Sequence, residues 1–245
     1  MLRSIQLFVL AAMLAFGASA ASAQGFGPEQ RNEIESILRE YLKENPEFLI
    51  EVLQSAEEKQ QQAQLQRAKV AIQAERKALN ENPADPVWGN PKGDVTIVEF
   101  FDYRCPYCKQ VVPALKQVIA ADKNVRIVLK EFPILGKDSV FASRAALAAQ
   151  KQGKYLAYHE ALMSYRGQIT EETAMTVAKA TGLDIEKLRK DMQDPSVDAA
   201  IEANRQLAER IGIRGTPAFI VGPDMAPGAV DARTLGAMVE KARKG

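Results

Sequence analysis

The chain has 245 residues, of which 47% are hydrophobic and 26% are charged, and its formal net charge is +1. This balance gives no indication of a nucleic-acid or acidic-ligand partner, because such partners call for a strongly basic composition. The length is sufficient for one core of moderate size and an accessory segment.

The N-terminus has the pattern of a cleaved secretory signal. Arg3 precedes an apolar run from Ile5 to Phe16, and two overlapping small-x-small sites follow it, with cleavage expected after Ala23. The alternative is a membrane anchor, but a membrane-spanning helix needs about 20 apolar residues and this run is shorter. We therefore predict a signal peptide at residues 1–23 and a mature periplasmic protein without a membrane span, in surroundings where disulfides can form.

Residues 24–82 have the composition of a helical stalk that ends in a linker. The Asn45-Pro46 pair interrupts it and predicts two short helices, the second capped by Asn45. An isolated amphipathic helix cannot bury its own apolar stripe, so we expect the stripe to pack against another chain or against the rest of this one. The Gln-rich end, from Glu57 to Asn82, is also typical of a solvated linker. The stripe positions are spaced alternately four and three apart, as in a helical seam: Ile34, Leu38, Tyr41, Asn45, Phe48 and Val52.

Prolines and glycines crowd residues 83–94, which predicts a linker and a domain boundary. The segment VTIVEFF that follows is β-branched and apolar, as in a buried strand. A second such segment is VRIVLKEF at 125–132, and residues 106–121 between them predict a helix. The chain therefore begins an α/β domain at residue 95.

The second half of this domain is interrupted by a helical insertion at about 138–211. A strand is predicted at 218–222, with a short partner near 228–230 and a last helix at 231–244. This order predicts an α/β fold over residues 95–245, a thioredoxin-like sandwich with a helical lid. Helix boundaries inside the insertion are predicted from N-caps and C-terminal glycines at Thr170, Asp184, Gly182 and Gly212.

The two cysteines of the chain are Cys105 and Cys108, in the segment CPYC directly after the first strand of the domain. Proline is tolerated at the first position of a helix, so Pro106 predicts that Cys105 caps the following helix. Residues three apart share a helix face, which lets the two sulfurs form a reversible disulfide. The helix N-terminus favours the Cys105 thiolate. We predict Cys105 as the attacking nucleophile and Cys108 as the resolving thiol.

Other roles for the two cysteines are possible in principle. A purely structural disulfide across so short a loop would stabilise the chain by only about 2 kcal/mol. A zinc site needs four ligands, whereas the chain adds only His159, which we expect to be a surface or helix-packing residue. We predict no cofactor and no bound metal. A Cu(I) ion held between the two thiolates is an alternative, since soft sulfur ligands suit that ion.

Residues 96–244 resemble the DsbA-like branch of the thioredoxin-fold thiol:disulfide oxidoreductases. The resemblance rests on four segments in the same order: VEFFDYRCPYC, LKEFPIL at 129–135, the helical insertion, and GIRGTPAFIVG at 212–222. It implies that Cys105 and Cys108 form the redox pair. It also implies that Thr216 and Pro217 form a loop, with the proline in the cis form, that lies against this pair and binds substrate together with Pro106 and Tyr107. An ordinary trans turn at Pro217 is the alternative.

The resemblance also implies a role for two charged residues in the predicted strands. Glu99 matches a buried acidic residue found behind the redox pair in many relatives, and Lys130 is its candidate ion partner. A charge inside an apolar strand is costly unless it is paired or used, so we predict a proton relay. A structural ion pair is the alternative.

Two departures from the DsbA pattern favour isomerase activity. The dipeptide Pro106-Tyr107 stands where strongly oxidising DsbA enzymes carry Pro-His, and Thr216 is similar to the residue of DsbC-type isomerases. The N-terminal stalk resembles that of the trimeric ScsC-type suppressor-of-copper-sensitivity proteins. This resemblance implies a homo-trimeric disulfide isomerase that acts on proteins with cysteines and is recycled by a membrane redox partner. A monomeric DsbA-type dithiol oxidase is the alternative.

Overall fold

A computed structural model describes residues 27–244 of the chain. These residues form two compact units, which divide after Gln60. The predicted signal peptide lies outside the described residues. No helix within residues 27–244 is long and apolar enough to cross a membrane.

Two helices occupy the N-terminal region, α1 at Pro28–Glu44 and α2 at Pro46–Ala74. The Asn45 side chain donates a hydrogen bond of 2.9 Å to the carbonyl oxygen of Tyr41, so this side chain caps the end of α1. The prediction of two short helices is wrong for α2, which has 29 residues. Its Glu-, Gln- and Ala-rich half consists of good helix formers, and the helix therefore continues where we predicted a linker.

The apolar stripe of the stalk is exposed in this chain. No residue of α1 is buried, and the Tyr41 and Phe48 rings, 5.9 Å apart, make an edge-to-face contact across the break between the helices. Large apolar side chains left in water cost free energy, so this stripe is expected to bind another surface. The exposed stripe positions are Ile34, Leu38, Tyr41, Phe48 and Val52, and the neighbouring apolar residues Ile37, Leu49, Ile50 and Leu53 are exposed as well.

The second unit is built on a five-stranded sheet with the spatial order β1-β3-β2-β4-β5. Strands β2 and β3 are parallel and the other pairs are antiparallel. Helix α4, at Pro106–Ala121, is the crossover between β2 and β3 that a parallel pair requires. The strands are β1 (Val87–Gly89), β2 (Val95–Phe101), β3 (Val125–Glu131), β4 (Ala218–Val221) and β5 (Asp224–Pro227).

Two strands differ from the sequence-based expectation. Strand β1 lies within residues 83–94, which we predicted as a linker, because Val87 and Trp88 pair with β3 and Trp88 joins the core. The partner of β4 is at 224–227 and not at 228–230, because Gly222 and Pro223 already reverse the chain there. Short strands flanked by Pro and Gly show little alternation of apolar and polar residues, and the positions of β1 and β5 were therefore predicted wrongly.

The helical insertion runs as predicted between β3 and β4. Thr170 and Asp184 accept hydrogen bonds at the N-termini of α7 and α8, while Gly182 and Gly212 have positive φ angles of 73° and 87° at helix ends. The helices are α3 (Arg76–Asn80), α5 (Lys137–Gln150), α6 (Tyr155–Ser164), α7 (Glu171–Ala180), α8 (Ile185–Asp191), α9 (Pro195–Ile211) and α10 (Ala232–Lys244).

Each face of the sheet carries its own apolar cluster. On one face, Ile97 and Phe101 of β2 pack with α4, α10 and the insertion helices, and both cysteines belong to this cluster. On the other face, Val98 and Phe100 pack with the end of α9 and with Ile72 and Leu79 of α2 and α3. The alternation follows the strand period of two. The predicted α/β fold, a thioredoxin fold with a helical insertion preceded by N-terminal helices, is confirmed.

Candidate active site

Cys105 is the N-cap residue of α4 and Pro106 is the first residue of that helix, so the first turn of the helix points its N–H groups toward the thiol. The turn before it is fixed by Asp102, which is fully buried. One oxygen of Asp102 accepts from the backbone N of Arg104 at 2.7 Å, and the other accepts from the backbone N of Ile134 and Leu135 at 2.9 and 3.0 Å. This carboxylate therefore holds the cysteine loop and the loop after β3 together.

The loop before β4 lies against Cys105. The Thr216–Pro217 peptide bond is cis. The thiol of Cys105 donates to the carbonyl oxygen of Thr216, with 3.2 Å between Sγ and O. No residue that the structure describes accepts a hydrogen bond from the backbone N–H of Thr216. An extended peptide passing the thiol would find this unpaired group beside it.

The two thiols have opposite acidities. Hydrogen bonding from the Cys108 thiol, with smaller contributions from the Thr216 side chain and the backbone N–H groups of Cys108 and Tyr107, lowers the pKa of Cys105 to about 5. Burial, the hydrogen bond to Cys105 and the charge of Glu99 raise the pKa of Cys108 far above its ordinary value. At neutral pH Cys105 is a thiolate and Cys108 is a thiol. Thiol–disulfide exchange begins with attack by a thiolate, so these protonation states make Cys105 the nucleophile.

Glu99 and Lys130 do not form the ion pair that we predicted. Glu99 pairs with Leu129 in the parallel register of β2 and β3, so Lys130 points to the opposite face of the sheet. Lys130 is buried there, where it forms an ion pair with Asp85 and donates to the carbonyl oxygen of Ala78 at 2.7 Å. Lys130 is therefore separated from the cysteines by the sheet.

Glu99 faces the cysteines and is accompanied by a second buried acid that the sequence did not reveal. Glu131 lies on β3 two residues beyond Leu129, the register partner of Glu99, and therefore on the same face of the sheet. Its Oε1 accepts hydrogen bonds from the hydroxyl groups of Tyr103 at 2.9 Å and Tyr155 at 2.6 Å. One oxygen of each carboxyl group has no hydrogen-bond partner among the described residues. Burial, followed by the charges of Glu131 and Cys105, raises the pKa of Glu99 well above its usual range, and burial does the same to Glu131. The site therefore holds two carboxyl groups that are mostly protonated at neutral pH.

The family model for the DSBA-like thioredoxin domain matches residues 96–239 of the sequence. The family model for the copper resistance protein ScsC N-terminal domain matches residues 30–63. The chain belongs to the DsbA-like thioredoxin-domain family. The N-terminal match covers most of α1 and the first half of α2.

Solved structures of DsbA-like proteins are similar over most of their length. A thioredoxin-like oxidoreductase from Silicibacter pomeroyi DSS-3 is 48% identical, with a TM-score of 0.69, and the match covers 69% of this chain and 98% of that one. A linker-deletion variant of ScsC from Proteus mirabilis is 28% identical, with a TM-score of 0.69, and the match covers 91% of this chain and 99% of that one.

The match to other relatives is partial. The Na(+)/H(+) antiporter NhaA 1 of Salinispora arenicola is 29% identical over 169 residues, which are 66% of this chain and 26% of the antiporter. The chain thus spans about a quarter of the length of that relative.

One side of the surface around the two cysteines of the DsbA-like domain is apolar. Tyr107 is 59% exposed, and Ile134 and Leu135 are 40% and 43% exposed on the loop that Asp102 holds. Pro106 is exposed beside them. Exposed apolar side chains at a reactive thiol form a surface on which an unfolded polypeptide can bind.

His159 of the DsbA-like domain is a buried packing residue in the helical insertion. Its ring stacks on Tyr155 and makes edge contacts with Trp88, Phe101 and Tyr103, and its Nδ1 lies 3.1 Å from the Tyr103 hydroxyl oxygen. Burial, with the charge of Lys116, lowers the pKa of His159 to about 3, so the ring is neutral at physiological pH. Across residues 27–244, no group of three or more His, Cys, Asp or Glu side chains is arranged to hold a metal ion.

Proposed function

We propose that the protein is a periplasmic thiol:disulfide oxidoreductase that acts on proteins with cysteines. The observation that carries this proposal is the pairing of an acidic Cys105, at the N-terminus of α4, with a buried Cys108 one helical turn inside. The cis Thr216–Pro217 loop beside the thiol supports it, because a substrate backbone can pair there.

The proposed reaction begins with the reduced pair. The Cys105 thiolate attacks a substrate disulfide, a mixed disulfide forms, and one substrate sulfur leaves as a thiolate. If that thiolate attacks another disulfide of the substrate, a new substrate thiolate is formed; when this thiolate attacks the mixed disulfide, Cys105 leaves as a thiolate, unchanged in oxidation state. If Cys108 attacks first, Cys105 and Cys108 become a disulfide and the substrate is reduced by two electrons. Glu99 is the proposed acceptor of the Cys108 proton in that step, acting in its ionised form, which a pKa of about 8 leaves as the minority at neutral pH.

We further propose that rearrangement is the main activity and that the protein works as a trimer. The exposed stripe of α1 and α2 supports an oligomer, and the resemblance to ScsC-type proteins supports three chains. Joining several redox pairs raises the effective concentration of a thiol near a bound client, which favours reshuffling. Thr216 before the cis proline is similar to the residue in DsbC-type isomerases.

The experiment is the refolding of a scrambled multi-disulfide protein. Recovery of native disulfides by the reduced protein, and its loss in Cys105→Ala, is the expected result. Cys108→Ala is the matched control, because this variant can still attack and rearrange but cannot close its own disulfide. No recovery with any variant, together with rapid oxidation of a reduced substrate by the oxidised protein, would contradict the isomerase proposal.

A dithiol oxidase is the second candidate, and one observation favours it. A Cys105 pKa of about 5 stabilises the reduced pair, which makes the corresponding disulfide oxidising. The two candidates differ in the redox state that a membrane partner must maintain. We expect alkylation of intact cells to find the pair reduced, whereas an oxidase would be found oxidised.

A further inference from the structure

A groove of about 740 Å³ lies directly beside the redox pair. Arg104 and Pro106, the two neighbours of Cys105, form one wall with Lys109. The other wall is formed by residues 163–169, which are the end of α6 and the loop after it. Pro106 is exposed there and Ile169 is buried at the edge. The groove has the volume of a site for a few residues of an extended peptide.

The charged side chains of the groove are cations with few partners. The ammonium group of Lys109 donates to the carbonyl oxygen of Tyr165 at 2.7 Å, and the Arg104 guanidinium donates to the carbonyl oxygen of Leu135 at 2.7 Å. Asp138 lies 4.0 Å from Arg104, at the limit of an ion pair. Among residues 27–244, no carboxylate lies within 4.0 Å of Lys109 or of Arg166.

These cations retain donors that no other residue in the described part of the chain uses. Lys109 has three N–H donors and Arg166 has five, and the loop carrying Arg166 is exposed. Burial lowers the pKa of Lys109, and a carboxylate bound beside it would raise that pKa again. The chain is almost neutral as a whole, so composition gave no indication of an acidic ligand, but the fold collects three cations at one place.

We propose that this groove binds acidic side chains that lie next to the reacting cysteine of a protein substrate. The inference rests on the proposed thiol exchange and adds a preference among substrates. Arg104 and Pro106 flank Cys105 in the chain and line the groove, so an extended segment whose cysteine sulfur is at Cys105 can place its neighbouring residues there. Charge complementarity at such a surface acts mainly on the rate of encounter, and it weakens as salt screens the charges.

The experiment uses three single-cysteine peptides that carry Glu-Glu, Gln-Gln or Lys-Lys near the cysteine. Each peptide thiolate attacks Cys105 of the oxidised full-length protein and forms a mixed disulfide, while Cys108 leaves as a thiolate. Acid quenching and mass spectrometry give the rate. Each rate is divided by the rate of the same peptide with a small neutral disulfide, which removes the effect of the peptide charges on its own thiol pKa.

At low salt we expect the normalised rate of the Glu peptide to exceed that of the Gln peptide by about five- to tenfold, with the Lys peptide slowest. This ratio should fall toward one in 0.5 M NaCl, because the Debye length at that salt concentration is only about 4 Å. The double variant Lys109→Gln/Arg166→Gln should lose the ratio. The matched control Lys179→Gln/Arg189→Gln, which removes two exposed charges on α7 and α8, should keep it.

Equal normalised rates for the three peptides, or a preference for the Lys peptide, would overturn the inference and leave the proposed function intact. An acidic preference that persists in the Lys109/Arg166 variant would overturn the assignment to this groove. No reaction with any peptide would overturn the proposed function and this inference together. If the double variant fails to fold, the salt series on the unaltered protein still tests the acidic preference, and Arg166→Gln alone, at an exposed loop position, tests the assignment to the groove.

Discussion

The thiol of Cys105 and the carbonyl oxygen of Thr216 are joined by a hydrogen bond, with 3.2 Å between Sγ and O. This bond exists only while Cys105 carries its proton, so with a pKa of about 5 it is present at acidic pH and absent at neutral pH. Once the sulfur is a thiolate or part of a disulfide, it has no proton to donate, and the Thr216 carbonyl oxygen is free to accept from a substrate backbone. Loss of the Cys105 proton therefore both produces the attacking thiolate and frees the Thr216 acceptor for a substrate strand.

The Thr216 side chain is expected to contribute to the acidity of Cys105. Thr216→Val keeps the shape of the side chain and removes its hydroxyl group, so we expect the pKa of Cys105 to rise from about 5 to about 6. The rate of iodoacetamide labelling against pH measures this pKa, with Thr234→Val as a control on a distant helix. An unchanged midpoint in Thr216→Val would show that the hydroxyl group does not stabilise the thiolate.

Glu99 is expected to act on the step that Cys108 performs. Its free carboxyl oxygen is buried on the cysteine face, and Glu99→Gln keeps the shape but cannot accept a proton. We expect closure of the Cys105–Cys108 disulfide from the mixed disulfide to slow by about tenfold or more, while the first attack by Cys105 keeps its rate. Rapid quenching of a single turnover separates the two steps. Equal slowing of both steps would point to a general disturbance of the site instead.

Glu131 is expected to make the folded state less stable as the pH rises. Burial raises its pKa to about 8 in the folded protein, whereas the unfolded chain releases this proton near pH 4.3. The associated stability is fully present below pH 4.3 and is lost as the pH rises through 8, because the folded state holds more protons in that window.

Glu131→Gln keeps an oxygen that accepts from Tyr103 and Tyr155 but has no proton to lose. Relative to the unaltered protein, we expect this variant to gain more than about 1 kcal/mol of unfolding free energy between pH 5 and pH 8.5. Urea unfolding of the reduced protein measures it, with exposed Glu240→Gln as the control. If the difference in unfolding free energy between Glu131→Gln and the unaltered protein did not change with pH, Glu131 would be ionised in the folded state throughout this pH range.

Much of this site could be predicted from residues that are neighbours in sequence. The CPYC spacing and Pro106 were sufficient to place Cys105 at a helix N-terminus and Cys108 one turn inside. The partner of Lys130 could not be predicted, because it depends on the register of β2 and β3 and on a strand, β1, too short to carry a periodic pattern. Glu131 was missed for the same reason: its burial is set by Tyr103 and by Tyr155 of α6, which lie 28 and 24 residues away.

The stalk is expected to hold an oligomer through its exposed stripe. Leu38→Asp/Phe48→Asp places two charges on this stripe, and we expect the proposed trimer to be replaced by monomers because a buried unpaired charge is costly. Light scattering coupled to size exclusion measures the mass, with Val70→Asp, also at an exposed apolar position of α2, as the control. A monomeric unaltered protein would contradict the assembly, and a monomeric variant with full isomerase activity would contradict its link to function.

The central claim is that Cys105 attacks a protein disulfide and that Cys108 resolves the product. The most direct measurement is mass spectrometry of the covalent complex that forms when each single-cysteine variant meets a disulfide-containing protein. We expect Cys108→Ala to accumulate a mixed disulfide through Cys105, because this thiol has the low pKa and the resolving thiol is gone. Cys105→Ala should accumulate none. A complex formed by Cys105→Ala through Cys108, or no complex with either variant, would contradict the account.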